Sequence, residues 1–257
     1  MKFLGDEKKM KTLFFALTMF FGIAALNANE SIRSKIDSLL ENRVIEMSSE
    51  ELNAFLNKDF EQKVISKLNK ENPNEIWAKA IADYIEIENY EIINAINLSK
   101  NFLFFNYLIR SNEGISPESE DSKNALGHDK IKHHLIFIYD KNKKEIAQLQ
   151  YLFVQYTPIT FHKYEYKRKN ILYGIANNSS SGMAVTDIYL LAFSTKNLEL
   201  LFSECVLFSK SFYSVDIEDV KFEKDFVFDK NKIKFSGKDF DFKAQKYLDY
   251  NKTYTLF

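Results

Sequence analysis

Hydrophobic residues repeat every three or four positions in the first part of the chain and alternate with polar residues in the second part. Over residues 31–47, and again over residues 52–68, the apolar side chains fall on one stripe of a helix. Ser48 precedes Glu51 by three residues, a capping-box pattern that begins a helix. A third helical stripe follows Pro73. The pattern therefore predicts a helical N-terminal region over residues 29–90.

From residue 91 to the end, apolar residues alternate with polar ones in short runs, which is typical of β-strands. Three such runs follow one another over residues 171–208, and two Asp-Lys-Asn-Lys turns stand at residues 140–143 and 229–232. Residues 91–99 fit either a helix or a strand. We predict an α+β fold: N-terminal amphipathic helices followed by a mostly antiparallel β-sheet or sandwich over residues 91–257, with both parts forming one structural unit.

The beginning of the chain has the features of a secretory signal peptide. Lys8, Lys9 and Lys11 precede an apolar run over residues 13–26, which is shorter than the roughly 20 residues of a comfortable membrane span. We place the signal peptide at residues 1–28, with cleavage after Ala25 as an alternative. We therefore expect export to the periplasm of a Gram-negative bacterium. An uncleaved segment is the alternative, and would be the one contact with the membrane.

Composition and charge narrow the classes of partner. Hydrophobic residues make up 46% of the 257 residues, enough for a sizeable core, and the single Cys205 permits no internal disulfide. The net charge of −1 creates no large positive field, so we expect no nucleic-acid partner. The basic run over residues 163–169 is either a patch for an anionic glycan or nucleic acid, or the solvated face of a strand.

Candidate chemistry is sparse. His128, His133, His134 and His162 are candidate metal ligands, but on one strand His133 and His134 would point to opposite faces, and zinc needs three or four ligands. Common nucleophile, nucleotide-binding and metalloprotease motifs are absent from the sequence. We therefore assign no catalytic residue, cofactor or metal. A hydrolase that uses acids and histidines near the polar loop over residues 111–129 stays an alternative.

One motif near the C-terminus suggests a modification. The sequence Asp-Tyr-Asn-Lys-Thr at residues 249–253 has an acidic residue two positions before Asn251 and a hydroxyl residue two positions after it. This arrangement resembles the acceptor of bacterial oligosaccharyltransferases, whose acidic position distinguishes it from the shorter eukaryotic sequon. Asn251 is therefore our candidate glycosylation site.

Residues 174–194, GIANNSSSGMAVTDIYLLAFS, carry a family resemblance. A strand, a Ser/Gly turn and a Thr-Asp-hydrophobic-Tyr-Leu-Leu strand resemble uncharacterised secreted or periplasmic bacterial β-rich proteins. Some periplasmic lysozyme inhibitors are similar in having a Ser-Gly loop beside a sheet, although Met183 stands here where a Tyr would follow. The resemblance implies a non-enzymatic binding or accessory protein of the cell envelope, with an envelope protein or glycan as partner. A lysozyme-inhibitor-like binding protein is the narrower alternative.

Overall fold

The computed structural model describes residues 31–53, 55, 57–110, 131–155, 157–177, 185–210 and 219–257. Within these ranges the chain forms four helices and eleven strands. The helices are α1 (Ile32–Glu41), α2 (Ser49–Asn53), α3 (Lys58–Glu71) and α4 (Ile76–Glu86). The strands are β1 (Tyr90–Asn97), β2 (Phe102–Ile109), β3 (Ile131–Asp140), β4 (Glu145–Gln155), β5 (Thr157–Tyr166), β6 (Lys169–Asn177), β7 (Val185–Ser194), β8 (Leu200–Lys210), β9 (Val220–Asp229), β10 (Lys232–Asp241) and β11 (Lys246–Thr255).

The chain divides into two compact units within α1, one that ends at Asp37 and one that runs from Ser38 to Phe257. Both sheets and helices α2 to α4 belong to the second unit. None of the described helices is long and apolar enough to cross a membrane. Three predicted features lie outside the described residues: the signal peptide over residues 1–28, the polar loop over residues 111–129 and the Ser/Gly turn over residues 178–182.

All the strands pair antiparallel, in two sheets. The first has the order β1-β2-β3-β4, and the second has the order β11-β10-β9-β8-β7-β6-β5. The prediction of an α+β fold dominated by antiparallel strands is thereby confirmed. Residues 91–99, which the sequence left open between helix and strand, lie mostly in β1.

Polar side chains set where α2 and α3 begin. Ser48 and Glu51 form the predicted capping box: the Glu51 N–H donates to Ser48 Oγ at 3.1 Å, and the Ser48 N–H donates to Glu51 Oε2 at 2.9 Å. The pattern over residues 52–68 predicts one continuous helix, and this prediction is wrong, because α2 ends at Asn53 and α3 begins at Lys58. The backbone is extended at Asn57, whose side chain accepts from the Phe60 N–H and starts α3.

The four-stranded sheet is the middle layer, because its central strands β2 and β3 are buried on both faces. One face packs against α3 and α4, and the other packs against β5, β6 and β7. On the helix side the contacting residues include Phe60, Val64 and Leu68 of α3 with Leu103, Phe105, Leu135 and Phe137. On the sheet side they include Phe104, Ile136 and Ile138 with Ile159, Phe161 and Leu172.

Among the described residues, three polar side chains lie fully buried between the two sheets: Asn94 of β1, Asn106 of β2 and His134 of β3. They bond the backbone of β5, the last strand of the second sheet. Asn94 exchanges two hydrogen bonds with the N–H and C=O of Phe161, at 2.9 and 3.1 Å. Asn106 Nδ2 donates to the Ile159 carbonyl at 2.9 Å, and His134 Nε2 accepts from the Ile159 N–H at 3.2 Å.

The same three side chains also bond one another. Asn106 Nδ2 donates to Asn94 Oδ1 at 3.0 Å, and His134 Nδ1 donates to Asn106 Oδ1 at 2.8 Å. Each polar atom of this network therefore has a partner, which removes the cost of burying it. The network joins the two sheets and fixes where β5 lies on the first sheet.

Replacement of Asn106 by Ala is expected to lower the free energy of unfolding by about 3 kcal/mol, because it leaves the Ile159 carbonyl and the His134 Nδ1–H buried without a partner. Urea denaturation measures the difference. The matched control is Asn251→Ala, at an exposed strand position, with an expected change below about 0.5 kcal/mol. Equal effects of the two substitutions would contradict the role given to the network.

Candidate functional site

The described histidines are engaged in structural hydrogen bonds. His134 accepts a backbone N–H on Nε2, which places its proton on Nδ1 and makes the ring neutral. Burial lowers the pKa of His134 to about 3 and that of His133 to about 4. His133 lies on the opposite face of β3, where its Nδ1 is 2.6 Å from the Tyr151 hydroxyl. The two neighbours therefore do not share a ligand.

His162 bonds the end of a helix rather than a metal. Its Nε2 donates to the carbonyl of Leu39 at 2.8 Å, and Thr160 Oγ1 donates to the next carbonyl, that of Leu40, at 3.2 Å. These are carbonyls of the last turn of α1, which lack helical partners. Burial lowers the pKa of His162, although the bond to Leu39 opposes the shift.

The remaining candidates for metal or nucleophilic chemistry gain no support. His128 lies outside the described residues. In the part of the chain that the structure describes, no three His, Cys, Asp or Glu side chains group so as to hold a metal ion. Cys205 is half-buried, and burial raises the pKa of its thiol to about 12, so it is protonated at neutral pH.

A buried ionic cluster in the second sheet was not anticipated from the sequence. Glu204 of β8 accepts hydrogen bonds from Tyr250 at 2.6 Å, Tyr254 at 2.8 Å and Lys224 at 3.2 Å. Burial raises the pKa of Glu204, but these hydrogen bonds outweigh it and hold the pKa below its ordinary value. Lys224 is 2% exposed and also bonds Asp239 at 2.7 Å. With its charges paired, the cluster acts as a structural link between β8, β9, β10 and β11.

Within the described ranges the two sheets have four edges, and three of them are protected. Beside β1, the Ala95 N–H donates to the Val44 carbonyl and the Glu46 N–H donates to the Ala95 carbonyl, which forms a short parallel bridge. The edge of β5 is covered by Asn94, Asn106 and His134. The edge strand β11 carries the charged residues Lys246, Asp249 and Lys252, a residue type that discourages strand addition.

β4 forms the fourth edge, and none of the described residues protects it in these ways. It pairs with β3 on one side, and among the described residues none bonds its backbone on the other side. Residues 146–155 contain no charged side chain. A long uncharged edge strand presents alternating N–H and C=O groups that fit another strand. The free edge of β4 is therefore the best candidate for a binding surface.

Aromatic side chains accompany this edge. Trp77 of α4 stacks on Tyr151 of β4 with ring centroids 4.4 Å apart and 14° between the planes. Phe153 lies 6.3 Å from Tyr151 and is 62% exposed, and Ile76 beside Trp77 is 74% exposed. Large exposed hydrophobic side chains such as Phe153 and Ile76 are typical of protein contact surfaces.

A groove of about 450 Å³ lies between α3 and the first residues of β4. Four lysines and two carboxylates line it: Lys63, Lys67, Lys70, Lys144, Asp59 and Glu145. Lys67 pairs with Glu71 at 2.9 Å, whereas Lys63 and Lys70 are exposed and form no ion pair within the described ranges. The groove therefore has a positive side that belongs to α3.

The candidate glycosylation site lies on β11. Asp249, Asn251 and Thr253 are all exposed and occupy alternate positions of that strand, so they share one face. The Lys238 ammonium pairs with Asp249 and holds the pKa of its carboxyl below the usual value.

Comparison with protein-family models gives no match, and comparison with curated proteins gives no similar sequence. The assignment of the β4 edge as the candidate site therefore depends on the structure of this chain alone. One feature of the sequence indicates this candidate edge, the uncharged run over residues 146–155. That run does not indicate that the strand lies at the edge of its sheet.

The buried histidines predict a stability that depends on pH. Because the folded pKa of His134 is about 3, against 6.5 ordinarily, its contribution is complete above pH 6.5 and is lost as the pH falls towards 3. Over that interval the unfolded chain binds a proton that the folded chain does not. His134→Asn is expected to reduce the slope of unfolding free energy against pH by about 1.2 kcal/mol per pH unit between pH 6 and 5. Chemical denaturation at each pH measures the slope, and an unchanged slope in the variant would contradict the assignment.

Proposed function

We propose that this chain is an exported, non-enzymatic binding or accessory protein of the bacterial cell envelope, and that it binds through the free edge of β4. The observation that carries the proposal is an edge strand without charge over residues 146–155, beside the 62% exposed Phe153. The signal-peptide pattern at residues 1–28 supports the location in the periplasm.

A hydrolase receives less support from the described residues. General acid–base catalysis needs a titratable group that can reach a substrate and exchange a proton near the working pH. His134 and His162 are committed to backbone groups, and His133 lies beside the Tyr151 hydroxyl. A lysozyme-inhibitor-like activity would be a narrower form of the binding function, carried by the Ser/Gly sequence at residues 178–182, which lies outside the described residues.

A photoreactive phenylalanine analogue at position 153 is expected to crosslink to a distinct envelope component in the native host, because this side chain is exposed at the free edge. The periplasmic fraction is separated by mass, and the product is identified by mass spectrometry. The control places the same analogue at position 242, an exposed aromatic position beyond the end of β10. No product from position 153, or the same products from both positions, would contradict the proposal.

We also propose that Asn251 is a glycosylation acceptor, since Asp249, Asn251 and Thr253 are exposed on one face of β11. In a host with the oligosaccharyltransferase, mass spectrometry of the peptide that contains Asn251 is expected to show one added oligosaccharide. Asp249→Ala is expected to remove the modification, because the acidic position is part of the acceptor, whereas Asp241→Ala is expected to retain it. A wholly unmodified native peptide would rule out the site.

A further inference from the structure

We infer that the free edge of β4 takes an extended polypeptide segment of a different protein, apolar at alternate positions and acidic where it passes α3. This inference rests on the proposed function and deepens it by naming the chemistry of the partner. Three features of the described residues carry it: the unpaired backbone of β4, the side chains on one of its faces, and the lysines of the adjoining groove.

The backbone of the edge sets the class of partner. Outward N–H and C=O groups alternate along β4 at the spacing of a strand, and among the described residues nothing bonds them. A glycan or small molecule cannot match such a row over ten residues, whereas an extended polypeptide matches it with its own backbone. The ligand is therefore a strand that lengthens the four-stranded sheet.

The side chains of β4 set the pattern of that strand. Leu149, Tyr151 and Phe153 lie at alternate positions on the helix-facing side, opposite Phe137, Leu135 and His133 of β3. Residues directly opposite in neighbouring strands share a face and contact each other. A partner strand with apolar residues on this face would cover Phe153 and extend the contact between Trp77 and Tyr151.

The groove sets the charge of one end of the partner. It is lined by the first residues of β4 together with α3, so a strand that runs along β4 enters it beyond Ala147. There four lysines outnumber the carboxylates of Asp59 and Glu145. Of these lysines, Lys63 and Lys70 are exposed and form no ion pair in the described part of the chain. Carboxylates at that end of the partner are favoured, both for affinity and for alignment along β4.

A second copy of this chain fits less well. Two-fold pairing of two β4 strands is antiparallel, so the end of one strand lies beside the beginning of the other. The last residues of β4 would then approach the groove, and residues 146–155 contain no carboxylate. The lysines favour a partner with a different sequence.

The test uses the purified protein and synthetic ten-residue peptides with an alternating Thr-Val core. Two peptides carry three Glu residues at one end or the other, and two matched peptides carry three Lys residues instead. One acidic peptide is expected to bind at least tenfold more tightly than its basic counterpart in fluorescence anisotropy at low salt, and the preference is expected to shrink as salt is added. Lys63→Glu with Lys70→Glu is expected to abolish the preference. Lys232→Glu with Lys246→Glu, the same change in net charge on the other sheet, is expected to leave it intact.

Four outcomes would overturn the inference. They are equal binding of acidic and basic peptides, no binding of any peptide, an effect of the control pair as large as that of the groove pair, and a dimer in sedimentation that Phe153→Lys dissociates. The crosslinking experiment at position 153 reports separately on the proposed function. If crosslinks form while the peptides show no charge preference, the binding edge stands and only the stated chemistry of the partner fails.

Discussion

The hydrogen bonds from Asn94, Asn106 and His134 to the backbone of β5 are the constraint on which the arrangement of the two sheets depends. Apolar packing alone does not fix how far one sheet slides over another, because dispersion contacts are not directional. Here the Ile159 and Phe161 backbone groups must meet three side chains that stand on three neighbouring strands. A shift of β5 by one residue would leave several buried polar groups unpaired, so one docking position is selected.

A second polar cluster acts similarly within the seven-stranded sheet. β8 pairs with β9 only over residues 207–210 of β8, and Glu204 lies outside this paired segment. Its carboxylate accepts hydrogen bonds from Lys224, Tyr250 and Tyr254. Gly237 permits the close approach of strands at this point. It has a φ of 152° and lies opposite Lys224, and a Cβ there would stand 2.2 Å from the Glu223 carbonyl oxygen. The buried charges and the glycine thus shape the same region of the sheet.

The sequence predicted those turns in which a side chain bonds the backbone two or three residues further on. Asp140 Oδ1 accepts from the N–H groups of Asn142 and Lys143, as an Asp turn does. The turn between β5 and β6 could not be predicted in this way, because Lys167 and Arg168 have positive φ values and neither is a Gly or Asn.

The network of Asn94, Asn106 and His134 could not be predicted from neighbouring residues in the sequence either. Its members bond groups 12 to 67 residues away, so their roles follow from topology. The histidines drew attention as metal ligands because of residue type alone, whereas burial makes His133, His134 and His162 neutral hydrogen-bond partners.

The free edge of β4 stands out because the same chain protects its other edges by different means. A parallel bridge at residues 44–46, buried amides and an imidazole beside β5, and charged side chains on β11 all prevent the addition of a further strand. A single lysine in the middle of β4 would also prevent strand addition, and at a half-exposed position it would change the free energy of unfolding by close to zero. β4 instead combines uncharged side chains over residues 146–155, an exposed aromatic ring and an adjoining row of lysines on α3. The lysines of α3 beside the free edge of β4 disfavour pairing with a second copy of this chain. They favour a partner strand that carries negative charge.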